Sequence, residues 1–219
     1  MHKSVWQWLL PLIAFGLFTI WSVPWDLAVA RFFHSHPEFG EGDWASLAFN
    51  DGVYPAWLVV IGAAIVLVLS FFKPQLIPYR RGAVLLLLLL AIGPGLITHT
   101  LLKDHWGRPR PRQTIEFGGN QPYRAYYEPY FSNPETSKSF PCGHCSMGFF
   151  FFGVAILGMA YRKKVLFAIG MALAWGMGIF LGLARMAQEG HFLSDVIASA
   201  LILWLTALGL AYLLFKDKT

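Results

Sequence analysis

The chain has 219 residues, 56% of them hydrophobic and only 13% charged, well below the roughly 25% charged residues of a soluble domain. That balance excludes a soluble globular protein. The formal net charge of +5 speaks, in so apolar a chain, to membrane topology before nucleic acid, which is not expected as a partner.

Six stretches approach the ~20 apolar residues that cross a hydrocarbon core. The first, Trp6 to Val23, is longer than a signal-peptide core and no clean small-x-small cleavage site follows it, so it reads as an uncleaved span. A connection from Pro24 to Tyr54 follows, acidic on balance, with Asp26, Glu38, Glu41, Asp43 and Asp51 against Arg31. The second span runs from Pro55 to Phe72. The third, Ala83 to Leu102, contains Gly93-Pro94-Gly95, which predicts a kink that aims His99 and Lys103 inward. The second long connection, Lys103 to Cys145, carries Lys103, Arg108, Arg110, Arg112, Arg124 and Lys138. The fourth span, Ser146 to Tyr161, is the shortest at about 16 residues and must borrow from Cys142 onward to cross. Its Phe149 to Phe152 run reads as packing or lipid-facing surface. The fifth and sixth spans are Val165 to Leu183 and Ser194 to Phe215.

The fold class expected is all-α, a six-transmembrane-helix bundle with an irregular outer-face cap, forming one membrane domain over residues 1–219 without internal repeats. Lys3, then Lys73, Arg80 and Arg81, then Arg162, Lys163 and Lys164, then Lys216 and Lys218 fall in alternate inter-span segments, which predicts that these and both termini are cytoplasmic. The two long connections and the turn from Ala184 to Leu193 then share the outer face. Excess positive charge on that face needs a reason other than orientation.

Ionisable groups beside lipid are expensive, so three cationic and imidazole clusters at helix mouths point to an anion. In Lys103-Asp-His-Trp-Gly-Arg-Pro-Arg110-Pro111 the prolines stiffen the backbone and splay basic heads, and Arg offers a planar fork to phosphate oxygens. In Pro141-Cys142-Gly143-His144, Gly143 permits close approach and the following helix offers free amides. In Arg185-Met-Ala-Gln-Glu-Gly-His191-Phe-Leu-Ser-Asp195, His191 and Asp195 are spaced to share a helix face, where the carboxylate can fix the imidazole tautomer. Each cluster alone also fits a bland reading: a headgroup-binding loop, a capping histidine, or a His-Asp cap with a snorkelling arginine. Cys142-Gly-His-Cys145 further resembles a thiol-disulfide exchange sequence, but no βαβ pattern surrounds it, and no complete set of four zinc ligands is evident. A bridge between these cysteines would constrain the backbone beside His144.

Taken together, Lys103-x6-Arg110-Pro111, Pro141-Cys142-Gly143-His144 and Arg185-x5-His191-x3-Asp195 resemble the three-part signature of the type 2 phosphatidic acid phosphatase superfamily, membrane lipid phosphatase branch. The resemblance covers about half the chain, from the third span to the sixth. It implies a phosphatase without cofactor or metal, acting on a phosphorylated membrane lipid in the bilayer. It further implies His191 as nucleophile, Asp195 as its orienting carboxylate and His144 as general acid and base, with Lys103, Arg110, Arg185, Cys142 and Gly143 holding the phosphate. Two positions depart from the pattern: Cys142 stands where the family has Ser, and a thiol is a weaker donor; Ala184 stands where Ser usually precedes the arginine. Candidate substrates are undecaprenyl pyrophosphate, a lipid A phosphate, phosphatidylglycerol phosphate and phosphatidic acid, presented on the periplasmic face of a bacterial inner membrane. A lipid phosphotransferase using the same intermediate and a non-catalytic lipid-binding or transport protein remain the alternatives.

Overall fold

A computed structural model describes residues 5–131 and 137–216. Lys3 and Lys218, used in the charge count, and residues 132–136 of the second connection lie outside the described residues. The described chain is an all-α bundle in which six helical segments are long and apolar enough to cross a membrane.

Helix α1 (Trp6–His34) is the largest departure from expectation. Pro24 was expected to end it, because proline lacks the amide that bonds the preceding turn. The helix instead runs through Pro24, as membrane helices allow where neighbours compensate, and its 29 residues reach about 43 Å, longer than the hydrocarbon core of ~30 Å. Asp26, expected in an acidic loop, is therefore a fully buried helical residue facing the bundle. The rest of the expected loop forms two short helices, α2 (Glu38–Glu41) and α3 (Asp43–Asn50), before α4 (Tyr54–Leu69) crosses back.

Helix α5 (Arg80–Leu90) passes into a π-helical segment, Ala91–Lys103. Pro94 cannot donate to the preceding turn, and wider turns carry the chain past it, seen in Asp104 N donating to His99 O five residues back. The kink expected here is thus a change of helix type, and it ends with His99, still exposed, and the half-buried Lys103 beside Gly143 at the start of the fourth span.

The fourth span is two pieces, α6 (Gly143–Phe149) and α7 (Phe152–Ala160), separated by a turn at Phe150 and Phe151. It is the central one: 72% of its 18 residues are buried, against 11% and 17% of the most apolar 18-residue stretches of α1 and the second span. Enclosure by α5, α8 (Lys164–Ala187) and α9 (Leu193–Phe215) removes the need for a long lipid-facing run, which is why the shortest apolar run marks the best-packed span. A methyl on Gly148 would sit 2.6 Å from Gly178 N, so glycine allows α6 to touch the α8 backbone. Phe149 to Phe152 are all buried and pack internally. Peripheral faces carry exposed Leu10, Ile13 and Leu17 on α1 and Leu58, Ile61 and Ile65 on α4, as lipid contact requires.

Candidate active site

The three clusters meet at one end of the bundle. Gly107, at φ +68°, turns the chain after Lys103 sharply, and a methyl there would lie 1.9 Å from Tyr130 O, so glycine is required. The turn delivers Arg108 into the interior, where it is fully buried. Its NH2 donates to Asp26 Oδ2 at 2.7 Å, and its NH1 to Asp195 Oδ1 at 2.5 Å and Ser194 Oγ at 2.8 Å. The guanidinium also lies 4.5 Å from the Phe192 ring centre. Burial alone would lower the Arg108 pKa, but the two carboxylates more than offset it and hold the group charged. Arg108 is therefore not an outward-facing cation of the first cluster; it is the internal strut joining α1, the second connection and α9.

Asp26 completes this frame by accepting from Ser194 N at 2.8 Å, Ser194 Oγ at 2.6 Å and Tyr123 OH at 3.1 Å. Asp195 Oδ2 accepts from Ser139 Oγ at 2.6 Å and Phe192 N at 2.8 Å, the latter capping α9. Between α8 and α9, His191 is buried, with Nδ1 3.6 Å from Asp195 Oδ2. That is ion-pair range and beyond a hydrogen bond, because both Asp195 oxygens are already occupied by other donors; the close His191 to Asp195 hydrogen bond expected from spacing is not formed. Burial pushes the His191 imidazole down to about 4, against the opposing pull of Asp195, so the ring is neutral near pH 7. Among the described residues, its Nδ1 and the Arg185 Nε are buried without hydrogen-bond partners.

Cys142 N donates to Asp195 O at 3.3 Å, which fastens the second cluster to the third. A methyl on Gly143 would lie 2.7 Å from His99 Nε2 and 3.3 Å from Lys103 Nζ, so the bare backbone at the start of α6 is flanked by both side chains. Cys142 does not supply the thiol donor expected of it: its sulfur is bonded to Cys145 and accepts from Cys145 N at 3.3 Å. Arg110 is half-buried, its pKa lowered by burial and by Arg112, and Lys103, Arg110 and Arg185 repel one another across the same space. Mutual repulsion among three cations would be relieved by an anion placed between them.

Arg185, at the end of α8, is buried, donates to Gln188 Oε1 at 2.5 Å, and lies 4.8 Å from the Phe49 ring centre. Phe49 in turn stacks on His144. Ala184 is fully buried against Ala45 and Ala48 of α3, so this departure from the usual serine is a small-residue seat for the cap. Asp26, Phe49, Ser139, Gln188 and Ser194 were not found from sequence. Only Asp26 left a trace, as an acid in a run whose apolar character continues past Pro24 to Phe33.

Residues 83–219 match the profile of the PAP2 superfamily. The chain belongs to that superfamily. A lipid A 4'-phosphatase of Francisella tularensis subsp. novicida is 35% identical over 167 residues, spanning 75% of this chain and 72% of that protein. Another, of Rhizobium leguminosarum, is 32% identical over 119 residues, 54% of this chain and 47% of the relative. No solved structure matches the chain. As a PAP2 member with these relatives, the protein is a membrane lipid phosphatase, a phosphoric monoester hydrolase.

Proposed function

We propose that this PAP2 phosphatase removes the 4'-phosphate of lipid A on the periplasmic face of a bacterial inner membrane through a phosphohistidine on His191. The observation that carries the reading is a buried, neutral His191 beside Asp195, with Lys103 and Arg185 acting on the same ring. A neutral imidazole can attack phosphorus; a protonated one cannot. As the P–N bond forms, His191 becomes cationic and draws toward Asp195, whose charge offsets it. Lys103, Arg110 and Arg185 stabilise the phosphoryl oxygens in the transition state, and the Gly143 backbone takes the place left by a serine hydroxyl. His144 protonates the departing sugar oxygen, then accepts a proton from the water that cleaves the phosphohistidine. The choice of lipid A among phosphorylated lipids follows the relatives.

Phosphate release by purified protein from lipid A, undecaprenyl pyrophosphate and phosphatidic acid tests the reading. Lipid A is expected to turn over fastest, with activity that survives EDTA, is blocked by vanadate and drops by about 100-fold or more in His191→Ala and His144→Ala. Full turnover by His191→Ala would overturn the mechanism, and preference for another lipid would overturn the substrate.

A further inference from the structure

Phe49 is an apolar side chain that the cap places among charged catalytic-site groups. Its ring is stacked on His144, with centroids 4.8 Å apart and planes 17° from parallel, and the Arg185 guanidinium lies 4.8 Å from the same ring. Its backbone also lies against the His144 imidazole. At 41% exposure the ring is no part of the buried core.

The backbone that carries it is held at several points. Ala45 and Ala48 of α3 are buried against Leu181 and Ala184 of α8. A methyl on Gly52, just after α3, would lie 2.3 Å from Leu181 Cδ2, so helix and turn are pressed onto α8. Gln188 clamps the joint from the site side: its Nε2 donates to Ala45 O at 3.1 Å while its Oε1 accepts from Arg185. One short helix thus fixes a ring against two groups that come from different spans.

We propose that Phe49 is a positioning residue for proton transfer to the leaving group, holding the His144 ring plane so that its proton points at the departing oxygen. The inference rests on the assignment of His144 as general acid. In the first half-reaction the P–O bond to the alcohol breaks as His191 nitrogen bonds phosphorus, and the His144 N–H proton passes to the alkoxide oxygen. In the second, water oxygen bonds phosphorus, the P–N bond breaks, and the water proton returns to His144. An aromatic face stacked on an imidazole also favours its cationic, proton-donating form in a site where Lys103 and Arg185 oppose it.

The test compares Phe49→Tyr, Phe49→Trp, Phe49→Leu and His144→Ala with wild type, on whichever of lipid A, phosphatidic acid and undecaprenyl pyrophosphate the wild type turns over fastest. Phe49→Leu fills similar volume without a stacking face. It is expected to lose about tenfold or more in kcat with KM and vanadate inhibition within about twofold of wild type, while the two aromatic variants recover most of the rate. Wild-type kcat in Phe49→Leu, a loss confined to KM, or a faster enzyme, as expected of a gate, would each overturn the inference. If His144→Ala itself keeps full turnover, the general-acid assignment fails, whatever the Phe49 variants do.

Discussion

At the scale of single residues, Arg108 and Arg185 show that two arginines in similar motifs can do opposite work. Arg108 is bonded to Asp26, Asp195 and Ser194, whereas Arg185 has a buried Nε with no partner among the described residues and faces other cations. Arg108→Ala would strand two buried carboxylates and is expected to destabilise by about 3–5 kcal/mol. Arg185→Ala removes a source of repulsion and is expected to unfold at or above the wild-type temperature while losing most turnover, a trade seen where function opposes stability. Thermal unfolding in detergent beside an activity assay separates the two. His191 gives a pH prediction of definite sign: its folded pKa of about 4 lies below the ordinary value of 6.5, so the unfolded chain binds more protons between those limits. Stability is expected to fall as pH drops from 6.5 to 4, by on the order of 3 kcal/mol for this group, and less steeply in His191→Gln.

At the scale of elements, the start of α6 and the docking of α3 decide how the site is held. The Cys142 to Cys145 bridge closes the turn that carries Gly143 and His144, and Cys142 also caps the helix. Cys142→Ser with Cys145→Ala keeps a capping oxygen but opens the bridge, and is expected to lower stability by about 2 kcal/mol, the amount a short closed loop contributes. Wild type treated with a reductant should show the same fall, and the double variant should not respond to it. Helix α3 was unreadable in sequence because its eight residues sit in a polar connection and its stability comes from the contact with Leu181 and Ala184, not from its own pattern.

At the scale of the molecule, basic residues stand at both ends of the bundle, so charge alone does not sort the two faces. Arg80 and Arg81 open α5, and Arg162 to Lys164 lead into α8, at the end opposite the site, where Tyr161 OH donates to Pro78 O. On the proposed periplasmic orientation of the site, Glu116→Cys in the exposed cap is expected to react with an impermeant maleimide in intact cells whose outer membrane has been opened. Lys164→Cys should react only after the inner membrane is permeabilised; the reverse pattern would invert the topology.

Hydrophobic length and residue identity are local properties, so the span count, the shared end of the three clusters and most of the cationic and imidazole groups there were legible without a structure. The sequence left undecided what each group touches. Arg108 meets partners 82 and 87 positions away, and Gln188 reaches Ala45 across 143. Such pairings depend on how helices pack, so only the tertiary structure turned Asp26 from a loop acid into a buried anchor, withdrew the Cys142 thiol, and set Phe49 against His144.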